Sequence, residues 1–589
     1  MNVSKKLQIA ALILIVALGL ILRLRGLSSI GFNEDEIHKI EAAHSYMHGD
    51  LSVNLEHPML MKSLITLSLA AADVWNRGVG HAHQVEEEVS VRLPNVLFGA
   101  LTAVVIFLFA REFFGVAVGL LSALLWSTGT IAIMLNRQAK EDTLLAFFTW
   151  LAYYFYLRAK KLGKADAPAS GRMYAASGAS FGLMLASKYF PHYLGLNFLY
   201  YYLFGKRGNC PARRQRDTLL MFGACALFFI LADPVVLLPS TLRYMLHYAG
   251  EGTMTHHGYL MMGRFYFDDP AHLHGGMPIY FYPLFLALKT TIPVLVALTV
   301  GLVEVWKHRR ELGPCFMIFT FLSWVVPFSL VSAKWLRWML SWMPSVYIIA
   351  ALGLIKILSW IPAQLSQSRR QWAPALATMV ALVFLAEPVW VVAANAPYYT
   401  LYLNPLGLGR TAYYFPHDEM NDMGLREAIG QISERAARGA TVGGATEPVF
   451  NYYFHRFGRD DLRYFDLANQ AHGVAASPSA YVVVQEGRKY FENISYIQNL
   501  EAYQMPVQTV QIGGAEAVRV YREAAEFADG NIHRGDGKVA VTSAVKPAAF
   551  RPALNMASLP PASRRYGGSS SPYFTAERRR LGIELGRYR

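Results

Sequence analysis

The sequence predicts a multi-pass α-helical membrane protein of about eleven transmembrane helices, followed by a soluble C-terminal α/β domain. Three observations carry that prediction. Of 589 residues, 54% are hydrophobic and only 16% charged, against roughly 25% charged in a soluble globular chain. Apolar runs of about 17–25 residues, enough to cross a hydrocarbon core as helices, recur along the first two thirds of the chain. The basic residues between those runs gather in alternate loops, as membrane topology requires.

In chain order the runs fall near residues 7–24, 92–111, 115–135, 142–157, 174–190, 191–204, 217–239, 279–303, 313–331, 335–357 and 372–394. Pro191 separates two short segments, the fifth and sixth. The first run has the length of a signal-peptide core. Arg23 and Arg25 stand where a small-residue cleavage site would follow, so it reads as an anchored helix. With eleven spans, the loops 158–172 (Arg158, Lys160, Lys161, Lys164, Arg172) and 205–216 (Lys206, Arg207, Arg213, Arg214, Arg216) share one side. Lys5, Lys6, Lys307, Arg309, Arg310, Lys356, Arg369 and Arg370 join them there. The positive-inside rule makes that side cytoplasmic, with the N-terminus. The connections 25–91, 136–141, 240–278 and 332–334, and everything after 395, then face outward.

The net charge of +14 has the sign of a nucleic-acid binder. Its placement, in short loops between apolar spans and in the C-terminal tail, is that of membrane topology, so no nucleic-acid partner is expected. Cys210, Cys225 and Cys315 make neither a disulfide framework nor a metal-ligand spacing.

Residues 1–397 thus form the transmembrane part, with long outward loops at 25–91 and 240–278, and 398–523 a soluble α/β domain. In the latter, a helical period at 420–438 puts Leu425, Ile429, Ile432 and Ala436 on one face. Strand-like runs follow at 462–467, 479–485 and 506–521, with a helical stretch near 488–502. From 524 to 589 Ala, Pro, Ser, Gly and Arg dominate without a period, the composition of a disordered tail.

Candidate chemistry sits at the outward edge. Asn33-Glu34-Asp35-Glu36 follows the first span. A carboxylate there is placed to take a proton from an acceptor hydroxyl, or the segment is a hydrated loop or helix cap. In the turn Asn136-Arg137-Gln138-Ala139-Lys140-Glu141-Asp142, Asp142 opens a helix whose N-terminal field keeps a carboxylate ionised. It either caps that helix or acts as a base or orienting group.

Lys62, Arg137, Lys140, Lys188, Lys334 and Arg337 lie on the side the topology rule disfavours. Snorkelling explains each singly. Together they point to an anionic ligand, and a lipid-linked phosphate fits the place, clamped bidentately by arginine and met by lysine as a point charge. The loop 240–278 carries His247, His256, His257, His272 and His274 with Asp268 and Asp269. Imidazole and carboxylate suit a divalent metal, but the spacings match no metal motif, so no metal ligand is assigned.

Taken in order, these segments resemble the GT-C superfamily of membrane glycosyltransferases. The likeness is to the dolichyl-phosphate-mannose–protein mannosyltransferase family and its bacterial relatives, among them the lipid A aminoarabinose transferases. Asp35-Glu36 resembles that family's Asp-Glu pair. Glu56-His57-Pro58-Met59-Leu60-Met61-Lys62 is similar to its His/Lys-Pro-Pro-Leu-x-x-Lys stretch, with Met59 in place of the second proline. Arg92-Leu93-Pro94-Asn95 through Arg111-Glu112-Phe113-Phe114-Gly115 looks like its second helix, and Arg137 followed by Asp142 like its outward turn. Tyr280-Phe281-Tyr282-Pro283 through Leu288-Lys289-Thr290 resembles its aromatic entry to a later helix. Lys334-Trp335-Leu336-Arg337-Trp338 stands where the family has Arg followed by Tyr or His. The likeness covers roughly residues 1–420.

The resemblance implies an integral-membrane inverting glycosyltransferase that moves one sugar from a polyprenyl-phosphate donor to a lipid, glycan or protein acceptor. It implies Asp35 as catalytic base, Glu36 in support and Asp142 orienting. Lys62, Arg137, Lys188, Arg337 and Lys334 would hold the donor phosphate, with His57, Glu141 and Tyr280 elsewhere in the pocket. No firm cofactor follows beyond the donor itself, a divalent metal being the weaker alternative. The expected location is the bacterial inner membrane, among its lipids, with the active site and C-terminal domain periplasmic. The rival reading is a polyprenyl-lipid or solute transporter; paired halves and mid-span charges, which such a protein favours, are not evident.

Overall fold

The computed structural model describes residues 4–164, 169–189, 211–250, 258–268, 276–365, 367–468 and 480–522. The expected span at 191–204 and the tail from 524 lie outside the described residues. The chain is mainly helical. Among the described residues six helices are long and apolar enough to cross a membrane, Lys5–Leu24 (α1) and Glu87–Phe114 among them. A seventh crossing comes from Val116–Thr128 and Thr130–Asn136, bent by 57° at Gly129. Gly129 meets the Tyr347 hydroxyl, where any Cβ would stand 2.0 Å away.

The spans hold together by close backbone approach, the device of helices with no water to expel between them. A Cβ on Gly178 would lie 1.9 Å from the Met221 carbonyl oxygen. One on Gly301 would lie as close to that of Ile349, and one on Gly353 at 1.8 Å from that of Ala297. Arg23, fully buried at the end of α1, has its guanidinium satisfied by Asn136 Oδ1 at 3.0 Å and by the carbonyls of Gly19, Trp126 and Ser127. Burial of a charge is tolerable only with such partners.

Two expected spans begin differently. The 279–303 run breaks into Phe281–Lys289 and Ile292–Lys307, because Thr290 and Thr291 are extended ahead of Pro293. The 335–357 run becomes helical only from Met343; Leu336–Ser341 is a 3-10 turn, which leaves Arg337 outside the helix.

Contacts sort the connections into two ends. At one end Lys161 pairs with Glu112, Ser170 approaches Asp217 at 3.4 Å, and Lys356 pairs with Glu304. At the other end Asp35 meets Lys140 and Arg337, Met59 meets Asp233, and Lys289 meets Glu419. The described ends of the lysine- and arginine-rich loops thus lie opposite the candidate chemistry.

The long segment after α1 folds into Glu34–Met47 (α2) and Met59–Gly78 (α3). Along α3, Met61, Lys62, Ile65 and Leu69 are buried, while Leu67, Val74 and Trp75 are exposed. In the 240–278 region Tyr259–Met261 (β1) and Arg264–Tyr266 (β2) form a hairpin whose turn, Met262-Gly263, has positive φ at both residues.

Residues after 398 build a five-stranded mixed sheet from Thr441–Gly444 (β3), Arg463–Asp466 (β4), Tyr481–Gln485 (β5), Gln508–Ile512 (β6) and Ala515–Arg522 (β7), in the order β4-β3-β5-β7-β6. The β3 strand runs parallel to both neighbours and β5-β7-β6 are antiparallel. Strand alternation buries both faces. Val482 and Val484 cluster with Ile497 and Leu500, while Val483, Val518 and Val520 join Ile429 and Ile432 in the main core. The 506–521 run is two strands because Gly513-Gly514 turns it back with positive φ at both positions. The helix expected at 420–438 is Leu425–Arg435, with Ala436 as its C-cap, still packed against the core that Leu425, Ile429 and Ile432 join.

Candidate active site

The site grows from the N-terminus of α2. Asn33 caps it: its side chain accepts from the Glu36 amide at 3.1 Å, and Glu36 accepts in return from the Asn33 amide at 3.2 Å. Two of the four polar residues in Asn33–Glu36 therefore serve the helix end. Asp35 points elsewhere. Its carboxylate, 35% exposed, pairs with Lys140 and stands 3.3 Å from Nη1 of Arg337. Three distant stretches of chain meet in this one cluster. Burial alone would raise the Asp35 pKa, but Lys140, Arg337 and Lys39 outweigh it and hold the carboxyl well below its usual range.

Glu36 plays a different part from the supporting one expected beside Asp35. It is fully buried. Oε1 takes Arg92 Nε at 2.8 Å and the Ala139 amide at 2.9 Å; Oε2 takes Arg92 Nη2 at 2.7 Å and the Asn33 amide. Four donors fill the roughly four lone-pair sites of a carboxylate, so none is left for a transferring proton. Glu36 positions the turn that delivers Lys140. Arg92 spends its remaining donors on the carbonyls of Leu27, Ile30 and Gly31.

The turn 137–142 supplies the rest. Lys140 is buried, and burial with Arg337 nearby pushes its pKa down to about 8 despite Asp35. Glu141, 1% exposed, sits 2.8 Å from Lys39 Nζ and 3.4 Å from His57 Nδ1. Burial would raise its pKa, yet Lys39, Lys140 and Lys188 around it hold Glu141 well below the ordinary glutamate range. Burial and the same lysines keep the His57 imidazole neutral. Asp142 Oδ1 takes Lys188 Nζ at 2.8 Å, while its buried Oδ2 has no hydrogen-bond partner among the described residues.

Three expected phosphate ligands direct their hydrogen bonds to main-chain carbonyls, Lys62 while still within electrostatic reach of Lys39 and Glu141. Lys62 gives its ammonium to the carbonyls of Asn54 at 2.6 Å, His57 at 2.8 Å and Val53 at 3.4 Å. Arg137 clamps the end of α1 through the carbonyls of Arg23, Arg25 and Gly26 and lies over the Tyr399 ring. Lys334 serves the carbonyls of Met277 and Val331. In each the physical reason is the same: a buried cation has taken the nearest orphan carbonyls of a turn. Tyr280, 48% exposed, precedes helix Phe281–Lys289.

Sequence reasoning passed over Lys39, Arg92 as an ion-pair partner, and Asp418. Asp418 accepts from the Tyr259 hydroxyl at 2.5 Å and from the Leu336 amide at 3.3 Å, beside Arg337. Burial raises its pKa to about 6. Lys39 had one usable signal, its place on the α2 face shared with Asp35 and Glu36 at helical spacing; Asp418 had none. Among the described residues no group of three His, Cys, Asp or Glu side chains is placed to hold a metal ion. His256, His257, His272, His274 and Asp269 lie outside the described residues.

The model of the dolichyl-phosphate-mannose-protein mannosyltransferase family matches residues 81–237, the stretch that holds Arg92, the 137–142 turn, Lys188 and Asp233. The chain is a glycosyltransferase related to that family. The likeness read in the sequence to the dolichyl-phosphate-mannose-protein mannosyltransferases is borne out. No curated protein matches the chain by sequence.

Among solved structures, ArnT from Cupriavidus metallidurans bound to undecaprenyl phosphate is similar over 87% of this chain and 97% of its own, at 14% identity and TM-score 0.47. The Archaeoglobus fulgidus oligosaccharyltransferase tethered with an acceptor peptide is similar over 82% of this chain and 69% of its own, at 11% identity and TM-score 0.49. The S. cerevisiae protein O-mannosyltransferase Pmt1-Pmt2 complex bound to the sugar donor is similar over 41% of this chain and 35% of its own, at 18% identity and TM-score 0.33.

Proposed function

We propose that this membrane glycosyltransferase moves a single sugar, with inversion, from a polyprenyl-phosphate donor to an acceptor hydroxyl at the periplasmic face of a bacterial inner membrane. The observation that carries the reading is Asp35 held between Lys140 and Arg337. The acceptor oxygen attacks the anomeric carbon, the bond from that carbon to the phosphate oxygen breaks, and the polyprenyl phosphate leaves with the electron pair. The acceptor proton passes to Asp35. Lys140 and Arg337 meet the charge that gathers on the departing phosphate, where preorganised cations in a poorly hydrated site act most. Asp142 holds Lys188 ready beside them.

Membrane placement agrees. Among the described residues six helices, or seven with the bent pair, are long and apolar enough to cross a membrane. With the basic loops taken as cytoplasmic, the site and the sheet after 398 face the periplasm. The family's donor, a sugar on a lipid phosphate, supports a donor of that chemistry here.

The test is transfer by purified protein in liposomes with a radiolabelled polyprenyl-phosphate sugar. A new glycosidic bond, lost in Asp35→Asn with donor binding retained, is expected. Unchanged turnover in that variant removes Asp35 from the mechanism, and label crossing the bilayer without a new bond marks a flippase. In the cell, a deletion strain should lack one sugar on a surface molecule by mass spectrometry.

A further inference from the structure

Four residues from beyond residue 420 grip the segment 28–34 that delivers Asp35. Arg426 donates to the carbonyls of Ser28 at 2.8 Å and Ser29 at 3.3 Å. The Tyr453 hydroxyl accepts from the Phe32 amide at 2.7 Å. Asp422 Oδ2 accepts from the Glu34 amide at 3.0 Å, the first amide of α2. Arg488 joins the Glu34 carboxylate at 3.0 Å to both oxygens of Asp422, at 2.8 and 2.6 Å, with Gln485 adding a bond to Asp422 at 3.0 Å. The approach is tight: a Cβ on Gly31 would stand 2.8 Å from the Tyr453 hydroxyl and 2.9 Å from Arg426.

These four come from separate parts of the sheet domain. Asp422 precedes helix Leu425–Arg435 and Arg426 lies in its first turn, Tyr453 sits in helix Glu447–Arg456, and Arg488 follows β5. Only the folded domain brings them together. Their target has little regular structure of its own, since residues 25–33 lie between α1 and α2. From below, Arg92 holds the same segment by the carbonyls of Leu27, Ile30 and Gly31. The segment is thus fixed from both sides, and its last clamp lies one residue before Asp35. A first-turn amide at an open helix end is an orphan donor, and Asp422 satisfies it while fixing where α2 begins.

We propose that the sheet domain is a positioning element for the reaction: Asp422, Tyr453, Arg426 and Arg488 set the place of Asp35 against Lys140 and Arg337, without touching substrate. The proposal rests on the role given to Asp35 above. A misplacement of about 1 Å at a reacting group costs on the order of 10²-fold in rate, so loosening the clamp should act on turnover and not on donor capture, whose cations come from other elements.

The experiment uses the full chain in liposomes with a radiolabelled polyprenyl-phosphate sugar, and compares Tyr453→Phe, Asp422→Asn and Arg519→Ala. Tyr453→Phe keeps the ring and removes only the acceptor for Phe32. Arg519, paired with Glu501 and Glu486 and bonded to no atom of the segment 28–34, controls for general loosening of the domain. In Tyr453→Phe and Asp422→Asn, kcat should fall about tenfold or more, with donor KM within threefold, the thermal transition within a few degrees, and Arg519→Ala unchanged. Turnover within twofold of wild type in both clamp variants overturns the proposal, as does an equal loss in Arg519→Ala or a loss that follows the thermal transition. Asp35→Asn in the same assay separates the two levels: if it stays active, the reading of Asp35 fails; if it is dead while the clamp variants are normal, only the positioning role fails.

Discussion

Asp35 and Glu36 are neighbours in sequence with opposite expected responses to the loss of one charge. Glu36→Gln removes the negative partner of the buried Arg92 and turns an amide group toward one of the four donors that now converge on it. Breaking a buried ion pair by removing one partner costs about 3–5 kcal/mol, and a donor left facing another donor adds to it. In a chain of 589 residues, with an unfolding entropy of about 2.1 cal/mol/K per residue, that is a fall of roughly 2–4 °C in the apparent thermal transition. Asp35→Asn, at a carboxylate one third exposed, should move the transition less, because the asparagine keeps an acceptor oxygen for Lys140 at a site open to water. Its cost falls on the rate, on the order of 10²–10⁴-fold if Asp35 is the base. Differential scanning fluorimetry in detergent, paired with the radiolabel transfer assay on the same preparations, separates the two. A Glu36→Gln protein as stable as wild type with its turnover abolished would refute the assignment of Glu36 to structure.

Further outcomes follow from the other cations. Lys140 titrates near pH 8 and is charged below it, so turnover should fall as pH rises through about 8; Lys140→Arg, which keeps its charge, should carry activity past about pH 9, and an unmoved alkaline limb would exclude Lys140 as the titrating group. Lys62→Met strips three carbonyls of their donor and should lower the thermal transition with donor affinity unchanged, whereas Arg337→Met should weaken donor binding about tenfold or more, roughly 1.4 kcal/mol per tenfold, measured by filter binding; a reversed pattern would return Lys62 to the phosphate. Gly353→Val puts atoms where a Cβ already stands 1.8 Å from the Ala297 carbonyl, so the helix pair it joins should separate and the protein should leave the monodisperse peak in size-exclusion chromatography.

What could be read from the sequence was set by range. Apolar length and the alternation of basic loops are local signals, and they located a helix for each expected span within the described residues. The outward charges were legible as a class because their cost near a membrane is a property of each residue alone. Their partners were not legible. Lys62 and Arg337 look alike as outward basic residues, yet one ends on turn carbonyls and the other on Asp35, a choice made by contacts across 302 positions in the second case. Strands β5 and β7 showed through their valines, while Thr441–Gly444, with two glycines and no branched run, gave no period to detect. Asp418 and Asp422 belong to the same difficulty: their sequence surroundings are those of a helix start and a turn, and only the docking of the sheet region on the segment 28–34 gives them electrostatic work.

The resting geometry also bears on the order of events. A carboxylate held far below its usual range is a poor base, since proton transfer is most efficient when the catalytic pKa lies near the working pH. Asp35 is in that condition because Lys140 and Arg337 both face it. A donor phosphate entering the cluster competes for the same two cations. The two charges attract the same ammonium and guanidinium groups, so sharing even one cation with the phosphate returns the Asp35 carboxyl toward its ordinary range. Under the proposed chemistry, donor binding therefore arms the base. As the bond to the phosphate breaks and charge builds on the leaving group, the cations are drawn further from Asp35 at the moment it must take the acceptor proton. One pair of cations then couples leaving-group stabilisation to base strength, and an acceptor that arrives before the donor meets a carboxylate still too weak to deprotonate it.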